Sequence, residues 1–424
     1  MSKPAHLPQN AYPTRVLLKT AATALIVALI TNSALAGTVS PPYQIGTWQG
    51  FRQAAVTYTF DDDLPNQYSI AVPMFNAKGF KLTLFTVTTW LPGGSWTPVK
   101  TAAAFGHEVA SHTVTHPDLS TLSDAAATNE VLNSQSSINA NVAGQQCVTL
   151  AYPYCNPPAN PAIVPSYYIA ARGCSGQLVP STPPNYMNIS SFVLGTQGLL
   201  QYSAIQAQVD AAATSGSWCV FLIHAIDNDN GYSPLPSATL QATVNYLSTN
   251  QNKFWVETFG HVFCYIRERN AASVAETANS SDSITLRVTH NLTNSIYNFP
   301  ITLRRPLPPG WPGAVVSQNN QPIFAQFVNL NSTSYVMFDV VPNGRDVTLT
   351  KQVVPVLISN PALTTPTSFS FRVDGQPGAR YAISGSSDLV NWAPVQTNIL
   401  VGTSTNWSVA APSALQFYRV QWAP

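Results

Sequence analysis

Charged side chains are scarce in this sequence: they make up 9% of its 424 residues, and the formal net charge is +1. Such a chain lacks the basic surface that binding to nucleic acid requires, so we exclude a nucleic-acid partner. The remaining polarity comes from small uncharged residues, and there are 34 prolines, a composition common in exported proteins. Aromatic residues (10%) and aliphatic residues throughout argue against disorder and predict two or three folded domains.

Cysteine is also rare. The five cysteines lie at positions 147, 155, 174, 219 and 264 and form no Cys-x-x-Cys pair, which speaks against a structural zinc site. The odd number leaves at least one thiol without an intramolecular partner. We expect a disulfide between Cys155 and Cys174 because both flank loops that follow predicted strands, although spacing alone does not fix connectivity.

The first 36 residues have the layout of a signal peptide. Arg15 and Lys19 precede an apolar stretch at residues 21–30, and Ala-Leu-Ala at residues 34–36 supplies the small residues that a signal peptidase reads. A membrane anchor is the alternative, but a spanning helix needs ~20 apolar residues, about twice the length of this stretch. We therefore predict an exported protein, secreted, periplasmic or at the cell surface, with no membrane association after cleavage.

Residues 41–270 are predicted to form an α/β domain, because short apolar runs alternate with amphipathic stretches. One helical stripe spans residues 68–75 and is closed by Gly79, and another spans residues 127–142. The predicted strands are residues 54–60, 81–87, 107–111, 148–152, 169–172, 218–224 and 254–257. This alternation predicts a largely parallel sheet with helices outside it, as a barrel or as a doubly wound layer.

The character of the chain changes after residue 270. Residues 271–282 are small and polar and are predicted to be a linker, which opens an accessory module at residues 271–353. Alternating apolar and polar residues and a turn at Asn343-Gly344 make this module β-sandwich-like. A second small β module is predicted at residues 354–424. Neither module has an evident catalytic cluster.

Five aromatic residues could stack on sugar rings. Trp218 and Trp255 border predicted strands of the α/β domain, and the last module contains Trp392, Tyr418 and Trp422. Packing in a core is the favoured alternative for all five.

An acidic run and a histidine pair are the clearest chemical features. Asp61, Asp62 and Asp63 follow an apolar strand directly, and like charges at such a place need a compensating partner. His112 and His116 lie three residues apart, so a helix or a tight turn brings both imidazoles to one side. Two histidines and one carboxylate are a recurring ligand set that leaves a metal position open for water. The alternative for the acidic run is a helix cap.

Four short motifs together resemble the polysaccharide deacetylase family, also called carbohydrate esterase family four. "TFDDD", "SHTVTH", "AYPY" and "FLIH" occur in the family's order and spacing, and the resemblance covers roughly residues 50–270. Members of this family are distorted (β/α) barrels that remove acetyl groups from sugars with a divalent metal. The resemblance therefore implies such a barrel followed by two small all-β modules.

The resemblance also implies roles for individual residues. Asp61 becomes the general base and His224 the general acid, and the backbone N–H at Tyr154 helps to form the oxyanion hole. The implied metal ligands are Asp62, His112 and His116. The residues implied on the substrate side are Pro153, Arg172 and Leu222, of which Leu222 would line the acetyl pocket.

The sequence departs from the family pattern at two positions within these motifs. Asp63 stands where many members have glycine, and we interpret it as a residue that tolerates a left-handed backbone. Ala151 occupies the place of an arginine that orients the base. Arg172 could substitute for that arginine from the next strand end, or be a buried structural residue.

These observations predict an exported hydrolase that removes N-acetyl groups from a polysaccharide or oligosaccharide. The same site could act on O-acetyl esters, as in acetylated xylan, because base, metal and acid are common to both reactions. A carbohydrate-binding protein built on an inactive hydrolase is the third alternative. The expected cofactor is one divalent metal, zinc first and cobalt or nickel as alternatives, and the expected partner is an acetylated glycan. The sequence does not predict the oligomeric state.

Overall fold

The computed structural model describes residues 37–352, 356–411 and 416–423. The predicted signal peptide lies outside these ranges. Within them, no helix is both long enough and apolar enough to cross a membrane.

The first half of the described chain forms a distorted (β/α) barrel. A short strand, β1 (Gln44–Ile45), precedes it. The barrel strands are β2 (Ala54–Asp61), β3 (Thr83–Thr86), β4 (Glu108–Ser111), β5 (Thr149–Ala151), β6 (Ala170–Arg172), β7 (Phe192–Val193), β8 (Trp218–Ile223) and β9 (Phe254–Val256). They pair in parallel in the order β6-β5-β4-β3-β2-β8-β7, and β9 pairs with the start of β2. All eight residues of β2 are buried, as expected for a central parallel strand.

Helices cover the outside of this sheet. They are α1 (Val72–Asn76), α2 (Thr97–Ala104), α3 (Asp124–Asn141), α4 (Tyr202–Ser215), α5 (Ser237–Thr249) and α6 (Phe259–Ala271). Helix α3 confirms the second predicted stripe: it begins after Ser123, whose side chain accepts a hydrogen bond from the backbone N–H of Ala126, and it buries Ala127, Val131 and Ile138.

The first predicted stripe is only partly α-helical. Its beginning, Gln67–Ala71, is a π-helical turn, and α1 follows it. The buried Gln67 amide donates hydrogen bonds to the carbonyl oxygens of Asp61 and His224, which ties this turn to the ends of β2 and β8. Gly79 follows α1 with φ +69°, the left-handed conformation expected where a helix ends.

A β-sandwich follows the barrel. Its strands are β10 (Ser273–Asn279), β11 (Ser283–Thr289), β12 (Ile301–Pro306), β13 (Ala314–Gln318), β14 (Gln321–Ile323), β15 (Ala325–Leu330), β16 (Thr333–Val340) and β17 (Val347–Lys351). One sheet has the order β10-β11-β17-β13-β14, and the other has the order β1-β12-β16-β15. Alternate residues of the strands point into the shared core, among them Leu286, Leu303 and Phe338.

The predicted linker at residues 271–282 is wrong. Its central part is strand β10, which pairs with β11 from Ser273 to Asn279. Val274 is fully buried and forms a bridge with Val39, from the segment that precedes the barrel. One inward-pointing valine and a backbone ladder with a register shift between Glu276 and Ala278 thus stabilise a strand that its small polar residues did not indicate.

The last part of the chain forms a second, smaller β unit. Its strands are β18 (Leu357–Thr365), β19 (Ser368–Asp374), β20 (Arg380–Ser386), β21 (Ala393–Ile399), β22 (Ser404–Ala410) and β23 (Phe417–Trp422). They form two three-stranded sheets, β18-β19-β22 and β21-β20-β23.

The three aromatic residues singled out in this last unit all pack against neighbours. Tyr418 stacks on Phe369 at 5.4 Å between ring centroids, Trp422 lies 5.5 Å from Phe327 of the sandwich, and the Arg419 guanidinium lies 4.4 Å from the Trp392 ring. These contacts favour packing over a sugar platform.

His107 provides a test of barrel stability. Its Nδ1 accepts a hydrogen bond from the Leu82 backbone N–H at 3.1 Å, and its Nε2–H donates to the Asn76 side-chain oxygen at 3.1 Å, so the neutral ring suits its surroundings. Burial, with help from the positive charge of Lys81, lowers the pKa of His107 to about 4.

An unfolded chain takes up this proton at an ordinary pKa near 6.5. The free energy of unfolding should therefore fall as the pH drops from about 6.5 to about 4, with up to about 3 kcal/mol coming from His107. Urea unfolding of the wild type and of His107→Gln at pH 7 and pH 4.5 measures this contribution. It is the difference between the two proteins in how much the free energy of unfolding falls between these pH values. An identical pH dependence of the two proteins would contradict it.

Candidate active site and metal centre

The acidic run lies where β2 gives way to a loop at the carboxyl end of the sheet. Asp61 is the last residue of β2, and Asp62 and Asp63 have φ angles of +77° and +55°. The backbone thus turns at these two residues, and the left-handed conformation inferred for Asp63 is present. Because the backbone turns at each step, the three adjacent carboxylates point in different directions, although Asp61 Oδ2 and Asp62 Oδ1 both lie near His112 Nε2, at 3.5 and 3.7 Å.

Asp61 forms a buried ion pair with Arg172. Their side chains are 2% and 0% exposed, and Arg172 Nη2 contacts Asp61 Oδ2. The same guanidinium lies 5.3 Å from the Phe85 ring. This fully buried pair agrees with the alternative in which Arg172 holds the Asp61 carboxylate, and a substrate contact of Arg172 stays a prediction. Asp61 Oδ1 has no hydrogen-bond partner among the described residues.

Asp62, His112 and His116 come together as a candidate metal centre. Asp62 Oδ1 lies 3.7 Å from His112 Nε2 and 3.5 Å from His116 Nε2, and the three ligand atoms lie within 4.8 Å of one another. His112 Nδ1–H donates to the Ala151 carbonyl oxygen at 2.8 Å. This bond fixes the tautomer and leaves Nε2 as the atom with a lone pair facing Asp62.

A tight turn, and not a helix, brings the two imidazoles together. Thr113 and His116 both have positive φ angles, +71° and +61°, and Thr113 Oγ1 accepts a hydrogen bond from the His116 N–H at 3.0 Å. Glu130 of α3 accepts hydrogen bonds from the Val114 and Thr115 N–H groups at 2.8 and 2.9 Å. Sequence reasoning missed Glu130, since nothing local distinguishes it from any solvent-facing helix carboxylate.

The electrostatics of this cluster suit a cation. Burial, together with the charges of Asp61 and Asp63, raises the pKa of Asp62 to about 7. Burial likewise lowers the pKa of His112 well below its usual range and lowers that of His116. Two neutral imidazoles and a carboxylate repelled by its neighbours form a donor set that a divalent ion compensates. The residues present therefore fit the implied metal.

Asp63 is not part of this donor set. It accepts hydrogen bonds from the Tyr68 hydroxyl, from Thr86 Oγ1 at 3.2 Å and from the Val87 N–H at 2.8 Å. Its positive φ agrees with the conformational role inferred from the sequence. In addition, its side chain ties the end of β2 to the end of β3, which the sequence did not indicate.

The segment around Tyr154 is a tight turn held by a disulfide. The turn Pro153–Cys155 follows β5, with φ angles of +55° at Tyr154 and +61° at Cys155. The expected disulfide between Cys155 and Cys174 is present, and it links this turn to the segment after β6. Pro153 is buried. The oxyanion role of the Tyr154 N–H stays a prediction, as does a substrate contact of Pro153.

His224 follows β8 at the same end of the sheet. Burial lowers its pKa to about 4, against the opposing effect of the Asp61 charge. Its Nδ1 has no hydrogen-bond partner among the described residues. Asp227 and Asp229, the nearby acidic residues, accept hydrogen bonds from the Ser237 and Asn66 N–H groups, so neither orients the imidazole. Leu222 is 2% exposed on β8, and its acetyl-pocket role stays a prediction.

Three exposed aromatic rings surround these groups. Trp90 and Tyr154 each lie 4.8 Å from the His116 ring, and Tyr232 lies 4.9 Å from the His224 ring. Their exposed fractions are 47%, 66% and 54%. Sequence reasoning missed Trp90 and Tyr232 and considered Trp218 and Trp255, which are buried in the core and therefore unable to stack on a sugar. The position of Trp90 shortly after β3 was the sequence feature that could have indicated its place beside the site.

Comparison with known proteins confirms the family resemblance. Residues 49–163 match the family model described as Polysaccharide deacetylase. The match includes the acidic run, both histidines of the candidate metal centre and Tyr154, whereas His224 lies beyond it.

Several solved structures are similar to about half of this chain. A probable polysaccharide deacetylase from Pseudomonas aeruginosa PAO1 is 12% identical, and the match covers 52% of this chain and 92% of that one with a TM-score of 0.43. The Puue allantoinase is 13% identical, with coverages of 52% and 92% and a TM-score of 0.43. The peptidoglycan deacetylase PdaC from Bacillus subtilis is 14% identical, with coverages of 51% and 92% and a TM-score of 0.36.

One curated protein is similar over a longer stretch of sequence. Gellan lyase from Bacillus sp is 27% identical over 348 residues, which are 76% of this chain but 14% of that protein. The chain thus spans about one-seventh of that relative's length.

The ion pair of Asp61 and Arg172 predicts a specific pattern of stabilities. Arg172→Met leaves the Asp61 carboxylate buried without its partner, and we expect the free energy of unfolding to fall by about 3–5 kcal/mol. Arg172→Met combined with Asp61→Asn removes the unpaired charge and should recover most of this loss. Urea unfolding of the wild type, both single variants and the double variant measures the coupling. A double variant whose loss equals the sum of the single losses would disprove it.

Proposed function

We propose that this protein is an exported, metal-dependent carbohydrate deacetylase that hydrolyses N-acetyl groups of a polysaccharide or oligosaccharide. The observation that carries the proposal is the cluster of Asp62, His112 and His116 beside an Asp61 carboxylate that Arg172 holds in place. Export is supported by the layout of residues 1–36 and by the disulfide between Cys155 and Cys174, since disulfides persist mainly in oxidising compartments.

Asp62, His112 and His116 would hold the metal, which we expect to be zinc, with cobalt or nickel as alternatives. When bound, such an ion supplies an acidified water (pKa ~7) and polarises the acetyl carbonyl. Three protein ligands suit this use because they leave coordination positions open for water and substrate.

The protein's own residues would handle the protons. Asp61 Oδ2 is engaged by Arg172, so the free Oδ1 is the atom that accepts a proton from the attacking water. His224 would then protonate the departing nitrogen. An unpartnered imidazole nitrogen supports this assignment. Burial lowers the pKa of His224 to about 4, so the ring takes up its proton in the course of the reaction, which the nearby Asp61 charge favours. The Tyr154 N–H would donate to the oxyanion.

Hydrolysis of O-acetyl esters by the same residues is the alternative reaction. Base, metal ligands and acid would serve an alkoxide as well as an amine leaving group. The exposed rings of Trp90, Tyr154 and Tyr232 support a sugar as the acetyl carrier in either case, because aromatic faces pack against the apolar faces of sugar rings.

Two variants separate the base from the metal ligands. Asp61→Asn should retain the metal but lose activity by about 10²–10⁴-fold, because the base is gone while the ligands remain. His116→Ala should lose metal and activity together. Metal content by atomic emission after dialysis, and acetate release, are the measurements. His261→Ala is the matched control: this histidine is half-exposed on α6, pairs with Glu257 and should change neither quantity. Full activity of Asp61→Asn would refute the role of Asp61.

An acetate-release assay on several glycans identifies the reaction. Chitin oligosaccharides and acetylated xylan should be compared, with and without a chelator. Acetate release from chitin oligosaccharides but not from acetylated xylan supports hydrolysis of amides. Acetate release from acetylated xylan but not from chitin oligosaccharides supports hydrolysis of esters. Chelator should abolish either. Binding to these glycans without any acetate release would instead support the inactive carbohydrate-binding alternative.

A further inference from the structure

A polar groove of about 620 Å³ lies on the β-sandwich. Thr285, Arg287 and Thr289 of β11 and Thr348 of β17 line it from the sheet. Two turns form its remaining walls: residues 319–320 join β13 to β14, and residues 343–345 lie between β16 and β17. Its volume is in the range typical of ligand sites, and its residues belong to none of the elements that form the candidate active site.

Both turns are fixed to the sheet. The Asn319 N–H donates to the Asp346 carbonyl oxygen at 3.0 Å, and the Asn343 N–H donates to that of Val288 at 2.8 Å. The Asn343 side-chain amide donates further to the Asn294 side chain at 2.8 Å and to the His290 carbonyl oxygen at 3.1 Å. The groove is thus formed in advance, which reduces the entropy that a ligand must overcome.

The chemistry of the lining is unusual for this chain. Three of the ten lining residues are charged (Arg287, Arg345 and Asp346), whereas charged residues are 9% of the sequence. No aromatic residue lines the groove. Arg287 Nε donates to Asp346 Oδ1 at 2.6 Å, which leaves the outer N–H groups of its guanidinium free. Within the described part of the chain, the side chains of Asn319, Asn320 and Arg345 have no hydrogen-bond partner.

We propose that this groove binds a carboxylated polysaccharide, a glycan chain with uronic-acid residues. Two guanidinium groups outnumber one carboxylate, and a planar guanidinium fork matches a planar carboxylate by paired hydrogen bonds. The threonine hydroxyls and asparagine amides match the hydroxyl groups of a sugar chain. A lining without aromatic rings does not select neutral glycans by stacking on their apolar faces. The site would hold the polymer independently of the deacetylation chemistry, so it goes beyond the proposed function.

Titration calorimetry of the whole mature chain with oligogalacturonate tests this proposal. Arg345→Gln and Arg287→Gln should each weaken binding about tenfold, because each removes a charge-assisted hydrogen-bonding group. Arg372→Gln is the matched control, since Arg372 forms a comparable exposed ion pair, with Asp374, in the last β unit. This control should bind like the wild type, and the affinity of the wild type should fall as salt is raised.

Three comparison ligands decide the chemical class. Carboxyl-reduced oligogalacturonate and a neutral dextran should bind at least tenfold more weakly than oligogalacturonate. Equal binding of dextran sulfate would overturn the assignment to carboxylates in favour of a general anion site. Absence of oligogalacturonate binding, or unchanged binding by the Arg287→Gln, Arg345→Gln double variant, would overturn the site itself. Acetate release by this double variant from short acetylated oligosaccharides should stay at the wild-type level, which separates failure of the groove from failure of the proposed deacetylase.

Discussion

The crowding of three consecutive carboxylates at the end of one buried strand is the constraint on which the site depends. Each carboxylate has a different compensating environment: Asp61 pairs with Arg172, Asp63 accepts three hydrogen bonds from neighbouring groups, and Asp62 faces two imidazoles. Of the three, Asp63 accepts hydrogen bonds at both side-chain oxygens, whereas Oδ1 of Asp61 and Oδ1 of Asp62 have no hydrogen-bond partner among the described residues. The Asp62 oxygen lies beside two ring nitrogens that can share a cation with it, and the Asp61 carboxylate lies next to this cluster.

The arrangement around Asp61 also explains a departure from the family pattern. Ala151 stands where similar sequences have an arginine that orients the base, which suggested a missing contact. In the sheet, Ala151 of β5 lies directly beside Arg172 of β6, in register. The Arg172 guanidinium therefore reaches Asp61 from β6, the strand next to β5. Its burial against the Phe85 ring fixes it there. An arginine thus contacts Asp61 although it comes from a different strand than the sequence position of Ala151 would indicate.

The sequence predicted features that depend on local patterns and missed those that depend on distant contacts. The main barrel strands were located to within one or two residues, because buried parallel strands are continuous apolar runs. The acidic run and the histidine pair were likewise recognisable from spacing. Strand β10 was missed because one buried valine and a ladder to β11 outweigh its polar composition. Glu130 and Tyr232 were missed because only tertiary folding brings them to the site.

The segment before the barrel has a consequence for how this architecture can be divided. Strand β1 and Val39 belong to the sandwich sheets, although the whole barrel separates them in sequence from β12 and β10. The sandwich is consequently discontinuous, and the barrel is inserted within it. If the chain were cut on either side of the barrel, one sheet of the sandwich would lose a strand. The backbone N–H and C=O groups that had paired with this strand would then be exposed to solvent. An engineered version of the sandwich therefore needs residues from both sides of the barrel.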